Sequence, residues 1–203
     1  DFEGGANASG WNWVFATSST VQAAGGNPDG YLEGTGFPGF NTPQVATTPG
    51  AATPFHGDYR AMQVTEISFD TNMFSNQFNM DLSGYGFTGS LTLKDNDTFE
   101  QATYSINNPA IGSPRGVWVN VVVPIPSQNA APGAGWNVIG DWNTVIQGVD
   151  EVVFDTFDPY SGWVSNGLTA HMGVDNMAIS VVPEPATMAL LGLGSFALMR
   201  RRR

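Results

Sequence analysis

The feature that most constrains this chain is a period-two alternation of apolar and polar residues that recurs along its first 180 positions. Met62-Gln63-Val64-Thr65-Glu66-Ile67-Ser68-Phe69 is the clearest case. Side chains of an extended strand point alternately to opposite faces, so this pattern suits a strand with one buried side. Trp11–Phe15, Phe78–Leu82, Leu91–Leu93, Ala102–Ile106, Val117–Val123 and Val149–Phe154 read the same way, as does a long last strand over Leu168–Val182. Turn-forming clusters separate them: Asn27-Pro28-Asp29-Gly30, Ser83-Gly84, Asp95-Asn96-Asp97, Asn107-Asn108-Pro109 and Ala131-Pro132-Gly133. Before residue 186 only Trp142–Ile146 suggests a single helical turn. The pattern predicts an all-β body, an antiparallel two-sheet sandwich of the jelly-roll kind. Residues 34–57, rich in Gly, Pro and Thr, read as the longest irregular loop, with Phe37, Phe40 and Phe55 in or beside it.

Composition narrows the function. The 203 residues fit one domain and a tail, expected as 1–181 and 182–203. With no cysteine, disulfides, thiolate metal sites and cysteine nucleophiles are excluded. Four of the seven basic residues are Arg200, Arg201, Arg202 and Arg203, which leaves residues 1–183 with three basic against seventeen acidic side chains. A body so acidic repels phosphate backbones, so nucleic acid is not an expected partner.

The tail is the sharpest motif. Val182-Pro183-Glu184-Pro185 leads into an uncharged stretch, Ala186–Met199, and then into the four arginines. The prolines uncouple the last strand from the rest of the tail, and Ala186–Met199 reads as a single hydrophobic helix. Fourteen residues at ~1.5 Å each reach about 21 Å, short of a hydrocarbon core of about 30 Å. Arginine snorkelling and local thinning make up part of the gap. The arginines are expected on the cytoplasmic side, with the body outside.

In all three blocks the tail resembles the PEP-CTERM sorting signal of Gram-negative surface proteins. The resemblance implies an exosortase, a membrane-embedded cysteine protease, as a partner that cuts near Pro183-Glu184-Pro185. It also implies membrane anchorage before processing. Val182, Pro183, Glu184 and Pro185 would be the sorting motif, and Arg200, Arg201, Arg202 and Arg203 the membrane stop. The body would then reach the cell surface or the exopolysaccharide matrix. A chain of this kind is expected to have carried a signal peptide ahead of Asp1.

The body is similar to extracellular sandwiches of the galactose-binding-like and laminin IV-like type. The matching pieces are Asp1-Phe2-Glu3, Trp11, Gly26–Leu32, the Trp142–Ile146 turn and Gly173–Ile179. Such folds often bind carbohydrate or hold a structural calcium. The expected calcium ligands are Glu3, Asn27, Asp29 and Asp175, gathered if first and last strands are neighbours, since calcium accepts irregular cages of hard oxygens. Asn27 and Asp29 equally serve the turn itself. Trp136 and Trp163, in Gly-rich loops, are the expected ligand-facing indoles.

No catalytic residue is assigned. His56 and His171 have no metal-ligand spacing, and Lys94–Glu100 reads as a hairpin turn lacking the EF-hand pattern. Glu151 and Asp155 share a strand face at roughly 13 Å, too far for a retaining carboxylate pair. The expectation is a non-catalytic surface or matrix protein whose body binds extracellular polysaccharide or packs into such material. The alternative is a secreted polysaccharide-active enzyme, a glycosidase or lyase, with the same anchor.

Overall fold

The computed structural model describes residues 2, 10–37, 43–75, 88–107, 115–155 and 168–182. The expected strand at 78–82 and the helix over Ala186–Met199 lie outside the described residues. So do Glu3, Phe40, Trp163, Pro183, Glu184, Pro185, Arg200, Arg201, Arg202 and Arg203. Of the sorting motif, Val182 is described; it is exposed, and its N–H donates to the Gln63 carbonyl at 3.0 Å. Among the described residues no helix is long and apolar enough to cross a membrane.

The described residues form two antiparallel sheets and one short helix. The strands are β1 (Trp11–Val14), β2 (Ser18–Gln22), β3 (Tyr31–Phe37), β4 (Gln44–Thr47), β5 (Val64–Ser75), β6 (Thr88–Asp95), β7 (Glu100–Asn107), β8 (Val119–Pro124), β9 (Trp136–Ile139), β10 (Glu151–Asp155) and β11 (Leu168–Val181). Sheet A runs β1-β4-β10-β6-β7-β9, and sheet B runs β2-β3-β11-β5-β8. The all-β sandwich expected from alternation is the fold observed.

The alternation works as predicted. Ile67, Phe69 and Met73 of β5, with Met172 and Val174 of β11, point from sheet B into the core. Leu91 and Leu93 of β6, with Val152 and Phe154 of β10, meet them from sheet A. The Phe69 and Phe154 rings lie 3.9 Å apart by centroid, which marks the mid-plane where the two sheets touch. Burying side chains of this size contributes about 1.5–3 kcal/mol each.

Trp11 and Trp13 both face the core, Trp11 edge-on to Phe55 and Trp13 edge-on to Phe37. Phe37 and Phe55 are thus core residues of the domain. Segment 34–57 is more regular than its composition suggests, because β3 continues to Phe37 and β4 occupies Gln44–Thr47. Gly34 explains the misreading. It breaks the strand signal, yet a Cβ there would stand 2.6 Å from the Trp13 ring, so only glycine admits the indole.

The turn near Trp142 is a short helix, α1 (Trp142–Gln147). Asp141 caps it, its Oδ1 accepting the backbone N–H of Asn143 and Thr144 at 2.9 and 3.0 Å. Trp142, Val145 and Ile146 pin it against the core.

Candidate functional site

The alternation that fills the core also decides what sheet B shows on its other side. Phe69, Thr71 and Met73 point inward, so Asp70, Asn72 and Phe74 project outward. On β11, His171, Gly173 and Asp175 alternate outward against inward Met172 and Val174. On β3, Tyr31 and Glu33 do so around inward Leu32, and just ahead of β8 stands Trp118. Register aligns these residues. Gly173 is the cross-strand partner of Asn72 and Glu33, and Asp70 is the partner of both Asp175 and Asn120.

Two groups result. The first is aromatic. Tyr31, Phe74 and Trp118 pack around Gly173, with centroids 5.4 Å (Tyr31–Phe74), 5.5 Å (Tyr31–Trp118) and 5.8 Å (Phe74–Trp118) apart. Gly173 makes room for them. A Cβ there would lie 2.8 Å from Trp118, 2.8 Å from Tyr31 and 3.0 Å from Phe74. His171 continues the cluster, its ring 4.6 Å from Phe74.

Glu33 frames the aromatic group on its polar side. His171 Nε2 bonds Glu33 Oε1 at 2.6 Å, the Tyr31 hydroxyl donates to the same oxygen at 3.2 Å, and Gln22 Nε2 donates to Oε2 at 2.6 Å. Burial opposes the charge on Glu33, but the bonds from His171, Gln22 and Tyr31 prevail and hold its carboxyl below the ordinary value. Burial, then the neighbouring Glu33 charge, push the Tyr31 hydroxyl up to about 12.

The second group is a pair of buried carboxylates on adjacent strands, Asp70 and Asp175, 4% and 0% exposed. Asp175 Oδ2 accepts the Asn27 backbone N–H at 2.7 Å, and its Oδ1 accepts that of Asn176 at 2.7 Å. Asp70 accepts side-chain amides from Asn120 at 2.8 Å, Asn176 at 2.7 Å and Asn27 at 3.1 Å. Asn176 also donates to the Asn27 carbonyl. Burial raises the Asp175 carboxyl above its ordinary value, and the Asp70 charge adds to the rise, against the two backbone N–H bonds that lower it.

This second group is where part of the expected calcium set lies. Asn27 and Asp175 come together. Asp29 is exposed, and its backbone carbonyl is the atom that faces inward. That carbonyl, the Gly30 carbonyl and Asp175 Oδ2 crowd Gly26, where a Cβ would stand 2.9, 2.6 and 2.7 Å from them. Among the described residues no three His, Asp or Glu side chains converge on one point. The donors present are hard oxygens, the chemistry a calcium ion takes, supplied by one carboxylate and backbone carbonyls.

Of the expected indoles, Trp136 is half-buried. Its N–H donates to the Pro124 carbonyl at 3.2 Å, and its ring packs beside Tyr104 and Trp142. Glu151 forms an ion pair with Lys94 at 3.3 Å, and Asp155 accepts from Gln44 at 3.0 Å. His56 is held by the Ala51 carbonyl at 3.0 Å and Thr47 Oγ1 at 2.7 Å.

Sequence reasoning missed Tyr31, Glu33, Asp70, Asn72, Phe74 and Trp118. The signal was there. Ending the strand at Phe69 hid Asp70-Thr71-Asn72-Met73-Phe74, which keeps the same alternation with its outward side polar and then aromatic.

Residues 181–203 match the PEP-CTERM protein-sorting motif. No curated protein matches the chain. Among solved structures, the fold is similar to part of an exo-beta-agarase (13% identity, TM-score 0.54, 91% of this chain and 25% of that one). It is likewise similar to part of a second agarase (11% identity, TM-score 0.54, 90% and 24%). A third similar structure is the CBM22-2 xylan-binding domain from Paenibacillus barcinonensis (17% identity, TM-score 0.48, 90% and 97%). The chain thus spans about a quarter of the length of the agarases it matches.

Proposed function

We propose that this chain is an exported surface or matrix protein whose β-sandwich binds carbohydrate, without catalysis, on the outer face of sheet B. The observation that carries the reading is the trio Tyr31, Phe74 and Trp118 around Gly173, flanked by Glu33, His171 and Gln22. A pyranose presents apolar C–H faces and a rim of hydroxyls. Clustered rings beside a fixed carboxylate, amide and imidazole match both parts. The sorting motif supports export and processing by exosortase. The sandwich shared with a quarter of each agarase supports a module-sized unit in polysaccharide-related proteins. The enzyme alternative has less behind it, since Glu151 and Asp155 are each engaged by a side chain of an adjacent strand.

The test is affinity electrophoresis of the full chain through gels containing agarose, xylan or alginate, with product analysis on the same mixtures. The expected result is retardation by at least one polysaccharide, lost in Trp118→Ala, with no new reducing or unsaturated ends. Products accumulating in proportion to protein would establish the enzyme reading instead. Trp163 stays in this proposal as a secondary contact, whereas Trp136 opens β9 of sheet A and packs against the core, so Trp136→Ala is expected to leave retardation unchanged.

The calcium proposal keeps Asn27, Asp29 and Asp175, with Glu3 to complete the set, as a structural site that fixes the turn before β3. Chelator is expected to lower the melting temperature of the wild type, and Asp175→Ala to abolish the difference. An unchanged melting curve in chelator removes calcium from the account.

A further inference from the structure

Asn72 is the one described residue on the outer face of sheet B whose side-chain polar atoms are buried without a partner. Its side chain is buried, at 1% exposure for the residue, and neither Oδ1 nor Nδ2 has a hydrogen-bond partner. Buried amides are almost always paired, because an unpaired polar group bears the cost of leaving water with nothing to offset it. The polar neighbours on this face are paired. Asp70, two residues before it, takes three amide donors, and Glu33 takes His171, Gln22 and Tyr31.

Its position says what covers it. Asn72 stands directly across from Gly173, and opposite residues of neighbouring strands project to the same face. The space a Gly173 side chain would take is filled by Trp118, Tyr31 and Phe74. Asn72 therefore lies beneath the ring trio, with Phe74 two residues along on its own strand. Trp118 is the one ring of the three that lies outside a strand. It precedes the first residue of β8, follows Gly116 at φ 78° and the exposed Val117, and is tied by one indole N–H to the Gly25 carbonyl at 3.3 Å.

We infer that Asn72 is a ligand-contacting residue of the carbohydrate face, uncovered when Trp118 turns outward, and that it reads a pair of adjacent sugar hydroxyls. An amide offers one acceptor and two donors in a plane. Oδ1 accepts from one hydroxyl while Nδ2 donates to its neighbour, so a vicinal diol satisfies both atoms at once. Trp118, displaced from the cluster, then stacks on the ring that carries the diol. This inference rests on the carbohydrate reading and adds to it a specificity residue and a closed unliganded state.

The experiment uses the full chain and the polysaccharide that retards it, supplied as a soluble hexasaccharide. Asn72→Leu keeps volume and removes both unpaired atoms. The expected result is at least a tenfold loss of affinity by calorimetry with a melting temperature equal to or above the wild type. Equal affinity in Asn72→Leu overturns the inference and leaves the carbohydrate reading standing. A lowered melting temperature with unchanged affinity would assign the amide to a trapped water instead. Retardation by none of the gels defeats the carbohydrate reading and the inference together. Should Asn72→Leu fail to fold, the wild-type side-chain amide signals decide by NMR. One pair, absent in Asn72→Ala, must shift on adding the hexasaccharide, and a set of amide signals that all stay in place counts against the proposal.

Discussion

The outer faces of the two sheets come from the same alternation and end in opposite conditions. On sheet A, polar residues meet polar residues across the strands. Thr92 and Thr103 share a hydrogen bond at 3.0 Å, Lys94 pairs with Glu151, and Gln44 bonds Asp155. On sheet B, two carboxylates and an amide are buried in the outer layer, and three aromatic rings lie over a glycine. A face that only has to be solvated uses short cross-strand pairs worth a few tenths of a kcal/mol each. A face that buries charge and leaves an amide unpaired gives up stability, and proteins tolerate that loss mainly at functional sites. The contrast itself therefore points to sheet B.

Three substitutions test that contrast. The largest effect is expected at Gly26, beside the buried carboxylates. Gly26→Ala drives a methyl group against the Gly30 and Asp29 carbonyls and Asp175 Oδ2. Two of these are backbone atoms, so the turn must shift, and a loss of about 1–3 kcal/mol is expected in denaturant unfolding. An unchanged midpoint would mean that the turn yields freely and that the carboxylate cluster is not rigid.

A smaller effect is expected from Glu33, and it has a sign. Its carboxyl is lowered on folding, so it adds stability above its ordinary value of 4.5. That contribution is lost as pH falls from there through its folded value. Glu33→Gln is expected to be less stable than wild type at pH 7, with the two converging on acidification below about pH 4. Asp175 works in the opposite sense. Its carboxyl is raised on folding, so its charge opposes folding at neutral pH, and that opposition is relieved as pH falls through its folded value. A Glu33→Gln difference that widens with acid would reverse the assignment.

The smallest effect is expected on sheet A. Lys94 and Glu151 are 32% and 16% exposed in their side chains. Lys94→Ala should cost about 0.5 kcal/mol or less and leave glycan retardation untouched. A loss of binding there would erase the distinction between the faces.

The sandwich is legible in the sequence because burial on one side imposes period two, and period two survives wherever a strand is plain. The reading failed at β3, where Gly34 sits in the strand for a tertiary reason, while the strand that holds Gly173 was read as a strand and only its ring partners were hidden. Gly34 admits Trp13 and Gly173 admits the ring trio, and neither partner can be seen from local pattern. The hairpin at Lys94–Glu100 and the turn at Trp142 were readable because their signals are local. Asp95 accepts the N–H of Asp97 and Thr98, and Asp141 caps its own helix. The candidate site was half legible. Asn27 and Asp175 are 148 positions apart, and their meeting was anticipated from a resemblance. Asp70 and Asn72 were not, because the pairing of β5 with β11 is a property of the fold as a whole. Among the tryptophans, Gly-rich surroundings favoured Trp136 and Trp163, whereas Trp118 gains its place from β8 lying beside β5.

The position of β11 has a mechanical consequence. It lies between β3 and β5 and leads straight into the sorting motif that begins at residue 181. Tension on the tail enters the domain along the axis of an interior strand. From His171 to Val174 the strand is paired on both flanks, but from Asp175 to Val181 only β5 holds it, so the half nearest the tail is secured on one side. A pull on that end would load the β5 pairs from Val181 to Asp175 before it reached Gly173 and His171, so the half of β11 that lies under the outer-face rings is shielded by the half that leads to the tail.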